Sequence, residues 1–364
     1  MELYCHRGWM LTILHWFCQG NTCLGKGCGL ESAICHCQET SLAWCSVLWH
    51  PAIAKGVGAR AEDTDAMDGD GGNDSKAEYQ TFQDSVKVCK NFENEGFSNC
   101  ILKGQGNALL YPDPYMRTPG DIDIYLTGAR KRVMQYINNV CPNQVMRYHH
   151  VDFPVMKTAI EVHFTPSYMF FPIHNSRMQK WFGKVMDLQC SNVVTLPDGY
   201  GEITVPTMNF NVIYILSHLY RHVFTEGIGL RQLIDYYFVV VKSEERRVKN
   251  LTALQRELKY LGLWKFAGAV MYVLHEVLGL PEAKMIAPID VNEGRFLLAE
   301  IMQGGNFGQY DTRLGSKENE GKLHRYLRMS LRNLRFVKHY PTEALSEPLF
   351  RTWFALWKKI HGIR

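Results

Sequence analysis

At 364 residues and 46% hydrophobic content, the chain is long enough for two ordinary domains with real cores. Its formal net charge of +4 is too mild for composition alone to call for a nucleic-acid or membrane partner. The distribution of residues along the chain says more than the totals.

Residues 1–75 read as a cysteine-rich extension followed by an acidic linker. Cys5, Cys18, Cys23, Cys28, Cys35, Cys37 and Cys45 crowd the first 50 positions. A zinc site drawn from Cys23, Cys28, Cys35 and Cys37 lacks paired Cys-x-x-Cys knuckles, and a disulfide cluster needs an oxidising compartment. The apolar run Trp9 to Phe17 is too short to span a bilayer, and no clear small-residue cleavage site follows it. The reading is a cytoplasmic protein with reduced thiols and no membrane partner. Two Asp-x-Asp patterns, Asp63-Thr64-Asp65 and Asp68-Gly69-Asp70, lie in a solvated acidic stretch without apolar alternation.

From Tyr79, apolar residues at Phe82, Val86, Cys89 and Phe92 recur at helical spacing. Asn99 to Lys103 then reads as a first core strand, and a glycine turn at Gly104 leads to a short helix over about 106–110. Pro112 and Pro114 disfavour its continuation. In the segment Asp121 to Leu126, Ile122, Ile124 and Leu126 point one way while Asp121, Asp123 and Tyr125 point the other, because side chains alternate at period two. One face is core, and the other presents two carboxylates about 7 Å apart. Two hard oxygen ligands on a rigid strand suit a magnesium ion bridged to nucleotide phosphates. Ala129 to Val140 reads as a helix, and Val145 to Phe153 with Thr158 to Phe164 as a strand pair. In the second of these, Ile160, Val162 and Phe164 alternate with Glu161 and His163, so Glu161 offers a third carboxylate if the strand lies beside the Asp121 strand. The alternative is an edge strand with Glu161 in water.

Beyond Pro206 the periodicity is helical almost throughout. His218 and His222 sit four apart on one helix face, a spacing that binds zinc only with further ligands, so core or hydrogen-bonded histidines are the simpler reading. Arg231 and Asp235 have the spacing of a helical ion pair, while Arg231 also follows Gly227-Ile228-Gly229 and could reach a phosphate. Gly304 to Gly308 lacks the Gly-Lys-Ser/Thr of a P-loop and reads as a turn. Lys322, Arg325, Arg328, Arg332, Arg335 and Lys338 form a basic stripe beside Leu323, Leu327, Leu331 and Leu334. A solvated face is favoured over nucleic-acid binding through 322–338.

The order of glycine turn, Asp-x-Asp strand and later single-carboxylate strand resembles the minimal nucleotidyltransferase superfamily to which DNA polymerase β belongs. More narrowly, Leu102-Lys103-Gly104, Tyr111-Pro112, Arg117, Gly120 to Ile124, Glu161 to Phe164 and Glu226 to Asp235 resemble a bacterial nucleotidyltransferase family of largely unassigned substrates. The likeness runs from about residue 76 to the C-terminus. It implies an α/β (α+β) fold, with a small mixed-sheet catalytic core over 76–205 followed by a mostly helical domain over 206–364. It also implies Asp121 and Asp123 as ligands of Mg2+ or Mn2+, with Glu161 as the third carboxylate. The superfamily usually has Gly-Ser after the first strand, where this chain has Gly104-Gln105. Phosphate grip then falls to backbone N–H groups near Gly104 and Gly106, with positive charge from Lys103, Arg117 and Arg231.

The expected reaction is transfer of a nucleoside monophosphate from a nucleoside triphosphate to an unidentified hydroxyl acceptor on a protein, RNA or small molecule, with release of pyrophosphate. The alternatives are a nucleotide-binding regulatory protein without turnover, a glycosyltransferase that uses Asp-x-Asp to hold a metal and a sugar nucleotide, and a nucleic-acid-binding protein built on the basic helix.

Overall fold

A computed structural model of the chain describes residues 68–245, 250–304, 311, 313 and 321–363. The readings of the cysteine-rich segment and of the turn after Gly304 lie outside these residues. Among the described residues the four cysteines are free thiols, and no helix is long and apolar enough to cross a membrane.

Helix α1 spans Asp68–Asn94. It begins inside the acidic stretch that reads as a linker, so that residues 68–74 lie in its first turns. Its face of Phe82, Val86, Cys89 and Phe92 is buried as its spacing predicts. The helix stops at Gly96, whose φ of 73° lets Phe97 N–H reach the Phe92 carbonyl and Gly96 N–H the Glu93 carbonyl, the paired C-terminal bonds that glycine permits.

Strands β1 (Asn99–Ile101), β2 (Ile122–Leu126), β3 (His150–Asp152) and β4 (Ile160–His163) form one sheet in the order β1-β2-β4-β3. β2 and β4 are parallel, and the two edge pairings are antiparallel. Helix α2 (Gln105–Ala108) follows β1, and α3 (Arg130–Val140) follows β2. The segment from Val145 contributes only the three residues of β3 to the ladder, with an isolated bridge between Met146 and Val151.

Strand alternation gives the sheet two different faces. Ile101, Ile122, Ile124, Leu126, Val151, Ile160 and Val162 enter one core with α1 and α3, whereas Cys100, Leu102 and Tyr125 turn to a second core made largely of helices. Asp123, in step with Tyr125, turns to the second side too.

Sequence reasoning assigns no element to residues 165–205, where α4 (Pro172–Gln189) and a hairpin of β5 (Val193–Thr195) and β6 (Glu202–Thr204) are found. The helical signal was present in Met178, Phe182 and Met186, all buried. Helices α5 (Met208–Thr225), α6 (Leu230–Glu245), α7 (Leu251–Tyr260), α8 (Trp264–Leu278), α9 (Val291–Gly304), α10 (Lys322–Leu334) and α11 (Pro341–Ile360) complete the described chain. The basic helix departs from the reading of a wholly solvated charged face. In α10 the leucines Leu323, Leu327, Leu331 and Leu334 are exposed along with His324 and Arg325, while Arg332 is buried with its guanidinium over the Phe336 ring. Arg335 pairs with Asp311 and Glu300.

Candidate functional site

The parallel pairing of β2 and β4 sets Asp123 opposite Glu161, and the antiparallel pairing of β3 and β4 sets Asp152 opposite Glu161 and His150 opposite His163. Period-two alternation therefore gathers Asp123, Glu161, His163, His150 and Asp152 on one face. This is the arrangement in which Glu161 joins the aspartates; the edge-strand alternative fails because β4 is an interior strand.

Asp123 is 2% exposed, so its charge must be compensated. Lys103 Nζ lies 2.9 Å from Asp123 Oδ2, and His163 Nε2 lies 2.9 Å from Asp123 Oδ1. Burial pushes the Asp123 carboxyl up, but the Lys103 charge and the His163 hydrogen bond outweigh it and hold the group well below the usual range. Asp121 immediately precedes β2. The neighbouring Asp123 charge, then burial, push its carboxyl up despite Lys103. Two carboxyl groups separated in this way, one firmly ionised and one discouraged from ionising, form a site that a cation would relieve.

The sequence reading missed two members of the cluster. His149 and His150 are both buried and stand beside the carboxylates, with His150 Nδ1 3.1 Å from Glu161 Oε2 and 3.1 Å from His149 Nε2. Burial, reinforced by the Arg221 charge, keeps His149 neutral, and burial with the nearby His163 brings His150 down to about 2. The signal was a His-His pair in a predicted strand whose partner carries Glu-x-His. Among the described residues, three groups have metal-ligating spacing: His149, His150 and His163; Asp123, Glu161 and His163; and His150, Asp152 and Glu161. Asp121 belongs to none of them, and Glu161 is the carboxylate shared between the Asp123 and Asp152 groups.

The predicted phosphate-binding residues are placed differently from one another. Lys103 faces the carboxylates and also approaches His218 Nε2 at 3.4 Å. Gly104 has φ 53°, and a side chain there would stand against the Asp121 carbonyl, so glycine is required where the chain turns beneath the aspartate. At Gly106 a Cβ would collide with Val205, which gives that glycine a packing reason. Gln105, where the resemblance leads to an expectation of serine, is fully buried, and its amide oxygen and nitrogen meet no hydrogen-bond partner.

Arg117 and Arg231 are both committed to protein contacts. Arg117 Nε and Nη2 donate to the two oxygens of Asp235, each at 3.1 Å. Arg231 Nη2 donates to the Thr118 and Pro119 carbonyls at 3.0 Å each. The simple helical pair between Arg231 and Asp235 is therefore replaced by long-range contacts, because a buried carboxylate gains more from a two-point guanidinium than from a neighbour on its own helix. The loop over residues 117–120, which delivers Asp121, is thereby tied to α6. His218 and His222 are held by Arg221 and, for His222, also by Glu226, as hydrogen-bonded histidines.

A cavity of about 270 Å3 borders Gly106, Thr207, Asn209 and Asn211, but its lining includes none of the carboxylates.

The model of a family described as uncharacterised nucleotidyltransferase matches residues 75–279, more than half of the chain. No curated protein matches. Among solved structures, an antigenic nucleotidyltransferase-like protein from Paracoccidioides brasiliensis is similar at 12% identity, with a TM-score of 0.35, over 58% of this chain and 94% of that one.

Proposed function

The chain belongs to the uncharacterised nucleotidyltransferase family, and from that premise we propose that it moves a nucleoside monophosphate from a nucleoside triphosphate to a hydroxyl acceptor and releases pyrophosphate. The observation that carries the reading is the register of β2 on β4, which sets Glu161 beside Asp123, two residues beyond Asp121.

The donor set fits a hard divalent cation. Asp121, Asp123 and Glu161 supply carboxylate oxygens, and the repulsion that raises Asp121 is the feature a cation would remove. Mg2+ or Mn2+ held there would neutralise triphosphate charge and polarise the α-phosphorus. Lys103 balances Asp123 and adds positive charge on the same side. Glu161, with its side chain 27% exposed, would hold the second metal or accept a proton from an acceptor hydroxyl. Arg117 and Arg231 act as positioning residues through their contacts with Asp235 and with the Thr118 and Pro119 carbonyls.

Nucleotide binding without turnover has one observation in its favour: Lys103 and His163 occupy both oxygens of Asp123. Pyrophosphate release separates the two readings. Each nucleoside triphosphate is supplied with Mg2+ or Mn2+, with and without cell extract, to the wild type and to an Asp121→Asn/Asp123→Asn variant. Release that requires both cation and aspartates supports transfer. Nucleotide binding with no release under any condition overturns it in favour of the binding protein.

A further inference from the structure

Behind the carboxylates lies a donor set that phosphate chemistry does not require. His149 Nε2 is 3.1 Å from His150 Nδ1. His150 Nδ1 is 3.1 Å from Glu161 Oε2, which is in turn 3.7 Å from His163 Nε2. The three rings are 4%, 5% and 1% exposed, and a nitrogen of each lies within 4.8 Å of the others.

Hydrogen bonds alone do not satisfy this cluster. A ring nitrogen offers either one proton or one lone pair. If His150 Nδ1 carries the proton and gives it to Glu161, the His149 nitrogen beside it can only present a lone pair competing for that same proton. If His150 Nδ1 accepts from His149, its lone pair faces the Glu161 oxygen. One of the two 3.1 Å contacts therefore always lacks a proton of its own. A cation beside the His149 and His150 nitrogens and Glu161 would satisfy both contacts at once. The 3.1 Å separations suit one: bonds of 2.0–2.1 Å to a tetrahedral ion place neighbouring donors about 3.3 Å apart.

We propose that His149, His150, His163 and Glu161 bind one zinc-type transition-metal dication. Nitrogen donors select this class, since magnesium takes oxygen ligands and dehydrates reluctantly. The site goes beyond nucleotidyl transfer and does not depend on it, although it shares Glu161 with the carboxylate pair and borders Asp123, whose Oδ1 is 2.9 Å from His163 Nε2. Glu161 is the partly exposed member and gives the ion its route inward. Three neutral imidazoles and one carboxylate leave a net charge of +1 on a bound dication, which would draw the triphosphate towards the Asp123 side of the sheet.

The test uses the metal-stripped full-length chain, Zn2+ as the probe, and no nucleotide, so its outcome is independent of whether transfer occurs. X-ray absorption at the zinc edge reads the donor types directly, without a variant, and a chelator competition gives the affinity. We expect one Zn2+ held by a shell of nitrogen and oxygen with imidazole ring scattering, not displaced by excess Mg2+. In the His149→Gln/His150→Gln protein that signal is lost and affinity falls at least about ten-fold, the lower limit even for groups that merely orient a ligand. Glu161→Gln, which leaves the buried rings in place, weakens binding in the same direction. A shell of sulfur alone, which places the metal on cysteines, overturns the proposal. So does an imidazole signal that survives in the double histidine variant, or the absence of stoichiometric binding.

Discussion

Arg117 and Asp235 meet in a two-point ion pair across 118 positions of chain, with both N–O distances at 3.1 Å and side-chain exposures of 8% and 15%. Tyr111 adds its hydroxyl to the same carboxylate at 2.6 Å. The pair fastens the loop before Asp121 to α6. Removing one partner strands the other in low dielectric, so Asp235→Ala should cost about 3–5 kcal/mol. The double replacement Arg117→Met/Asp235→Leu should recover much of that loss. Urea unfolding of this double variant and of Arg117→Met and Asp235→Leu singly checks the prediction, and additive losses would show that the two groups do not act as a pair.

The same carboxylate makes stability depend on acid. Burial pushes Asp235 up, yet Arg117, Tyr111 and Arg231 together hold it below its ordinary value. A group depressed in the folded state contributes stability that is fully present above the unfolded value, about 3.9, and lost as pH falls through the folded one. Between about pH 5 and pH 3 the wild type should therefore lose more of its stability than Asp235→Asn, which starts less stable at neutral pH. Unfolding midpoints of both proteins at four pH values decide this, and parallel acid limbs would remove Asp235 from the account.

What the sequence made legible follows from how local each signal is. The alternation of Ile122 and Ile124 with Asp123 is written in five residues, and β2 forms there. The pairing of Asp123 with Glu161 needs a parallel crossover of some forty residues, so it could be anticipated only by assuming the order of strands. His149 and His150 stayed unread because their meaning comes from His163 and Glu161 on the neighbouring strand. Arg231 and Asp235 suggested each other by helical spacing, but each is used by a residue more than a hundred positions away. The leucines of α10 misled for a related reason: a stripe shows which residues share a face, and only packing shows which way that face turns.

Lys103 and a divalent cation should compete for Asp123. In Lys103→Met the buried carboxylate loses its 2.9 Å counter-charge, so the variant should melt lower than wild type without divalent ions. Saturating Mn2+ or Mg2+ should then raise its melting temperature more than that of the wild type, because a ligand of the folded state stabilises in proportion to its affinity. Thermal melts with and without cation test this. Equal shifts in the two proteins would place the cation away from Asp123.

Glu343 begins α11 and closes a distant helix end. Its Oε2 accepts from the Phe170 and Phe171 N–H groups at 2.7 and 3.1 Å, and its Oε1 lies 3.0 Å from His174 Nδ1. It sits at the N-terminus of α4, where a carboxylate is favoured, with 1% exposure. Glu343→Ala leaves buried donors without an acceptor and should cost about 3 kcal/mol. Glu343→Gln, which keeps an acceptor oxygen, should lose less. Denaturant midpoints of the two variants rank the effect, and equal losses would assign it to charge alone.

Helices α8 and α9 touch through Gly294, where an added Cβ would overlap the Tyr272 ring. Ala is otherwise the better helix former by about 1 kcal/mol, so propensity and packing oppose each other at this position. Overpacking costs typically about 1–3 kcal/mol, enough to overturn the propensity gain. Gly294→Ala should therefore destabilise the fold. Removing the opposing side chain together with its Cβ clears the collision, so Tyr272→Gly/Gly294→Ala should be more stable than Tyr272→Gly by about the propensity difference. Chemical denaturation of the three variants gives the sign at each step. A stabilising Gly294→Ala in the wild-type background would mean that the two helices do not approach as closely as the Tyr272 contact requires.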